Sequence, residues 1–103
     1  MELQIIQNKI VELRGMRVML DYDLAEMYGV ETKRLKESVR RNIDRFPSDF
    51  MFELTRDEYN SLRSQIASLE NGRGNHSKYL PFAFTEQGVA MLSSILNSKL
   101  AIQ

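Results

Sequence analysis

The apolar positions of the chain fall into short segments, some alternating and some with helical period. In "KIVELRGMRVML", Val11 and Leu13 point to one side, and Met16, Val18 and Leu20 do the same after Gly15. That period of two predicts a β-hairpin, with Gly15 at a tight turn that needs positive φ. Asp21 stands where a cap is expected for a helix starting near Tyr22, and Asp23 in the first turn complements the helix dipole. Gly29 is placed to end that helix. A second helix is predicted from about Thr32 to Ile43, because Pro47 pushes Phe46 out of the helical region.

Further on, "FMFELT" is short and aromatic and suits a strand. Thr55 and Glu58 form a capping box for a helix carrying Tyr59, Leu62 and Ile66 on one stripe. "ENGRGNHSK" has the composition of a loop, and "KYLPFAFT" reads as a strand. Pro81 lacks an N–H donor, which predicts an edge strand or a bulge there. Thr85 caps a final helix whose apolar stripe is Val89, Leu92, Ile95, Leu96 and Leu100. The predicted order is hairpin, two helices, strand, helix, loop, strand, helix. This is the α+β class, without internal repeat.

Bulk properties narrow the reading without deciding it. At 103 residues the chain makes one domain, residues 1–103. With 43% hydrophobic and 27% charged residues it has the composition of a soluble globular protein. No apolar run approaches the roughly 20 residues of a membrane span, and "MELQIIQNKI" is not a secretion signal. Cysteine is absent, which excludes disulfides and thiolate metal sites and fits a cytoplasmic location. The last helix still runs at Gln103, so an excised N-terminal domain is expected.

Charge changes the picture locally. The 14 basic and 14 acidic residues cancel over the chain. From Glu31 to Arg45, however, six cations (Lys33, Arg34, Lys36, Arg40, Arg41, Arg45) face three carboxylates (Glu31, Glu37, Asp44), a local charge of about +3. The segment "DLAEMYGVETKRLKESVRRN" also has helix-turn-helix spacing. Ala25 is the small residue at the crossing, Gly29 the turn, and Leu24, Tyr28, Val30, Leu35 and Val39 the shared core. On a helical wheel, Leu35 and Val39 share one face at i, i+4. Lys33, Glu37, Arg40 and Arg41 lie opposite, with Arg34 and Lys36 on the flanks.

In such motifs the N-terminal half of the second helix meets base edges in the major groove. Thr32, Lys33, Lys36 and Arg40 are therefore expected to contact the groove, and Arg34, Arg41 and Arg45 to contact phosphates. Glu37 either accepts from a cytosine amine or pairs with Arg41. The loop residues Arg73, His76 and Lys78 form either a basic wing reaching a phosphate or an ordinary surface loop. Spacing and charge of this kind also occur in helix pairs that bind nothing.

Other chemistry has weaker support. His76 is the only histidine, too little for a histidine metal site or a Ser–His dyad. Asp21, Asp23 and Glu26 are close enough in sequence to hold magnesium, as in a nuclease, but capping explains the aspartates more simply. Tyr22, Phe82 and Phe84 could stack on unpaired bases, although packing is the simpler use, and the methionines read as core filler. "NGRGN" is not a phosphate loop.

"RGMRVMLDYDLAEMYGVETKRLKESVRRNIDRFPSDFMFELT", "LRSQIA" and "YLPFAFTEQGVAMLSSIL" together closely resemble the open-reading-frame-six N-terminal (ORF-six-N) domain family. That family is related to the KilA-N and Bro-N domains of phages and large DNA viruses. The likeness runs from about Ile10 to Gln103. It implies a DNA-binding module, N-terminal in antirepressor-like regulators of phages and prophages and followed there by a further segment. It transfers no base-contacting residues.

The expectation is a single α+β domain with a helix-turn-helix-like pair, flanking β-hairpins and a C-terminal amphipathic helix. It is expected to bind double-stranded DNA without catalysis, cofactor, metal, membrane or small-molecule substrate. A homodimer is open to it, and a protein-interaction module using the C-terminal helix is the alternative. Changing Lys33, Lys36 and Arg40 together to alanine is expected to abolish DNA affinity and leave the fold intact.

Overall fold

The computed structural model describes residues 9–70 and 79–102. Strands β1 (Ile10–Leu13) and β2 (Met16–Leu20) form the predicted hairpin, with Val11 opposite Val18 and Leu13 opposite Met16. Arg14 and Gly15 make its turn with φ of 54° and 73°, the pair of positive values that a two-residue hairpin of right-handed twist requires.

Helix α1 (Asp21–Tyr28) follows β2 without a gap. Gly29 ends it at φ 71° and ψ 31°, a left-handed conformation that costs glycine little. The Gly29 and Val30 N–H groups donate back to the Glu26 and Ala25 carbonyls and close the last turn. Helix α2 (Thr32–Arg41) stops two residues before the expected end, and the chain continues as a 3-10 turn, Ile43–Arg45. There the Asn42 side-chain amide donates to the Ser38 carbonyl at 2.8 Å, satisfying part of the helix terminus.

Strand β3 (Met51–Glu53), helix α3 (Arg56–Glu70), strand β4 (Phe82–Phe84) and helix α4 (Glu86–Ile102) complete the order. The capping box at α3 is formed. Thr55 N–H donates to Glu58 Oε1 at 2.8 Å, and Glu58 N–H donates to Thr55 Oγ1 at 3.1 Å. Thr85 caps α4 through Gly88 N–H at 3.3 Å. Among the described residues, no helix is long and apolar enough to cross a membrane.

The sheet is antiparallel in the order β1-β2-β4-β3, which places β4 inside it rather than at an edge, the first of the two placements expected from Pro81. Pro81 is tolerated because it precedes the ladder and needs only its carbonyl, which accepts from Leu54 N–H at 3.0 Å. Met19, Phe84 and Met51 form a row across three strands and pack with α1, α2 and α4. The opposite face carries Val18, Leu20, Phe52 and Ala83, and Tyr59 and Leu62 of α3 cover it. Burial on both faces accounts for the continuous apolar runs Val18–Leu20 at the end of β2 and Phe82–Phe84 in β4.

Leu92 and Leu96 of α4 are 0% and 5% exposed within this chain's own core. These two positions of the predicted apolar stripe therefore pack inside the domain, with Val89 and Ile95 partly buried beside them. The side chains of Ile66 and Leu100, placed on the predicted stripes, lie outside the described ones. Gly88 sits directly against the backbone of Phe50, where a Cβ would come within 1.9 Å of the carbonyl oxygen. No larger residue fits there.

Candidate functional site

Helix α2 is strongly two-sided. Leu35 and Val39 are fully buried and meet Leu24 and Ala25 of α1 in a shared core, as the helix-turn-helix spacing predicts. Tyr28 and Val30 pack at its margin, and the Tyr28 hydroxyl is hydrogen-bonded to Ser93 of α4. On the solvent side Lys33, Arg34, Arg40 and Arg41 are exposed, Thr32 and Glu37 are half-buried, and Arg45 is exposed in the following turn. Arg73, His76 and Lys78 lie outside the described residues.

Lys36 departs from its expected position. It is only 7% exposed, and its ammonium donates to the Leu80 carbonyl at 2.8 Å and pairs with Asp21 at 3.6 Å. Its cation also lies 4.7 Å from the centre of the Phe82 ring. A residue on the wheel's flank has room to turn inward, and a buried carboxylate draws it there. Lys36 is therefore withdrawn from a base edge, and the triple alanine exchange that includes it would damage the fold.

Asp21 is the reason. It is 1% exposed and does not cap α1, whose N-terminus has no side-chain cap. Its Oδ2 accepts instead from Phe82 N–H at 2.9 Å, taking over where β2 has turned into helix and can no longer pair with β4. Burial pushes the Asp21 carboxyl above its usual pKa, and the Phe82 N–H and Lys36 ammonium offset only part of that. The proposed magnesium carboxylates are accordingly dispersed. Asp23 pairs with Lys9 at 3.6 Å, and Glu26 is exposed. Among the described residues no cluster of three or more His, Cys, Asp or Glu side chains is positioned to hold a metal.

A cleft of about 450 Å³ opens between α2 and the segment Tyr79–Pro81. Thr32, Lys33, Lys36 and Arg40, the four residues assigned to the groove, all line it, together with Glu37. Arg34, Arg41 and Arg45, assigned to phosphates, do not. The structure thus separates the two groups in space. Behind the cleft, the Lys36 ammonium and the Arg40 guanidinium lie 4.7 and 5.5 Å from the Phe82 ring centre. Asp21, Tyr22, Tyr59, Tyr79 and Pro81 complete the lining. Tyr59 and Tyr79 were not singled out as ligand contacts from the sequence, where each reads as an ordinary apolar position in its own element.

A second polar cluster ties the hairpin to α3. Arg14 makes a forked ion pair with Glu58, at 2.8 and 3.0 Å, and its guanidinium lies 4.0 Å from the Phe52 ring centre. The guanidinium and the Thr55 N–H hold the Glu58 carboxyl down at about 2. This cluster is remote in sequence from α2 and supports the scaffold.

Comparison with curated proteins and with solved structures gave no match. Residues 8–95, most of the chain, match the model of the ORF6N domain. The resemblance borne by "RGMRVMLDYDLAEMYGV" and the strings after it is thus a family relationship, and the chain belongs to the ORF6N domain family.

Proposed function

We propose that this domain binds double-stranded DNA non-covalently, without catalysis, as the DNA-reading part of a phage- or prophage-type regulator of the antirepressor kind. Family membership is consistent with a phage-type regulatory domain. The observation that carries the DNA reading is the disposition of α2, whose buried side is locked to α1 while Lys33, Arg34, Arg40 and Arg41 remain exposed. A helix held this way presents cations to the phosphates flanking a major groove and side chains to its base edges. Lys33 and Arg40, with Thr32, are the groove contacts, and Arg34, Arg41 and Arg45 the phosphate contacts. Lys36 supports them from beneath.

Fluorescence anisotropy of a labelled random duplex, repeated across a salt series, tests the reading. Affinity is expected to fall with a log–log slope of about −2.7 to −4.5, as three to five neutralised phosphates dictate. A folded domain with no affinity at low salt would overturn it.

A further inference from the structure

We propose that the cleft beside α2 holds an unpaired nucleobase and its phosphate, so that the domain prefers DNA with an extrahelical nucleotide over a fully paired duplex. This rests on the DNA-binding reading of α2 and specifies what the concave part of that face accepts.

Shape is the first argument. A paired base edge is reached by a convex surface entering the groove, yet here the wall of Tyr79–Pro81 rises beside α2 and leaves a recess of about 450 Å³. That is the size of small-ligand sites, about 300–1,000 Å³.

Chemistry is the second. The chain has four tyrosines and no tryptophan, and three of the tyrosines, Tyr22, Tyr59 and Tyr79, line this one recess. Tyr59 is 5% exposed and belongs to the core, whereas Tyr79 and Tyr22 are 71% and 38% exposed. The two exposed rings offer planes on which a base stacks. Lys33 and Arg40, the groove contacts of the duplex reading, stand on the α2 wall of this recess, where an extrahelical nucleotide would offer them its phosphate in place of a paired base edge. Glu37 adds an acceptor for an exocyclic amine, which cytosine, adenine and guanine carry and thymine lacks.

The experiment compares a labelled duplex with the same duplex carrying one bulged cytosine or one bulged thymine. It is read by anisotropy and by the domain's own tyrosine emission. Stacking a base is worth about 1–3 kcal/mol, so the bulged-cytosine duplex should bind about 5- to 150-fold more tightly than the intact one. Tyrosine emission should be quenched, and bulged thymine should bind less tightly than bulged cytosine. In Tyr79→Ala the ratio of bulged to intact affinity should fall to near one, and Tyr79→Trp should restore it.

Equal affinity for bulged and intact DNA, with unchanged tyrosine emission, would overturn the inference and leave the duplex reading of α2 standing. Preference for the bulge that survives Tyr79→Ala would also overturn it, since ease of bending alone would then explain the preference. Absence of binding to every duplex would overturn the α2 reading. In that case, quenching by deoxycytidine monophosphate alone would uphold the cleft chemistry with a free nucleotide as its source, and no quenching would overturn both.

Discussion

The ammonium of Lys36 lies 3.6 Å from Asp21 Oδ2 and 2.8 Å from the Leu80 carbonyl, so one buried cation joins α2 to the start of α1 and to the entry of β4. Asp21 in turn holds Phe82 N–H, and the pair fixes α2 against the sheet in one rotational setting. Lys36→Met keeps most of the buried stem but strands the carboxylate, and should lower stability by about 3 kcal/mol. Asp21→Asn combined with Lys36→Met removes both charges and should recover much of that loss. Urea denaturation of the two single variants and the double variant measures the coupling, and simple additivity would rule out the pairing.

The two groups of cations on α2 should behave differently in DNA binding. Arg34→Ala and Arg41→Ala, outside the cleft, should weaken binding alike for all sequences and lower the salt slope by about 1 each. Arg40→Ala, in the cleft, should in addition relax sequence preference, with a loss of about 1–3 kcal/mol on the preferred site. A selection for preferred sites, followed by anisotropy on those sites, distinguishes the two behaviours. All these side chains are exposed, so melting temperatures should stay close to that of the parent.

Gly88→Ala should be among the most damaging single exchanges in the domain. A Cβ at that position comes within 1.9 Å of the Phe50 carbonyl oxygen, a backbone atom that cannot swing aside. The same oxygen accepts from Thr85 N–H at 2.9 Å, so displacing it also disturbs the cap of α4. A loss of about 4 kcal/mol or more is expected, enough to unfold much of a small domain at 25 °C. Circular dichroism on heating would show it.

The acid response should have two opposed parts. Glu58 has its folded pKa lowered from 4.5 to about 2, so its contribution is complete above pH 4.5 and is lost as pH falls toward 2. Asp21 has its folded pKa raised, so its ionisation costs stability above that value, and acidification relieves the cost. Glu58→Gln should therefore be less stable than the parent at pH 7, and the difference should shrink steadily between pH 4.5 and 2. Urea midpoints at pH 7, 5, 4 and 3 test this. A constant difference across that range would remove the Arg14–Glu58 pair from the account.

Most of the element order is legible in the sequence because local signals dominate it. Gly15, Gly29, the Thr55–Glu58 box and Thr85 each mark a boundary through chemistry confined to four or five residues, and each is found where expected. Legibility fails where a partner distant in sequence decides the outcome. Asp21 has the look of a cap but serves Phe82, 61 residues away, and Lys36 turns inward to a carbonyl 44 residues away. Pro81 suggested an edge because a missing donor matters only if the neighbouring strand needs it, and here the neighbour uses the carbonyl. The cleft was half legible. The α2 residues that line it follow from the wheel, whereas Tyr59 and Tyr79 reach it from separate elements that no periodicity relates to α2.

The position of β4 between β2 and β3 constrains the order in which the molecule can assemble. As the chain leaves the ribosome, the hairpin, α1, α2, β3 and α3 all precede Phe82, yet β3 pairs with β4 and not with β2. The early elements thus have no common sheet until the last strand slides between them. The acceptor of Lys36 at Leu80 and the donor to Asp21 at Phe82 arrive with that same strand. Committed structure must wait for nearly the whole domain to be synthesised, so any chain ending before Phe82 should remain unfolded and prey to proteases, and folding should be a late, all-or-none step.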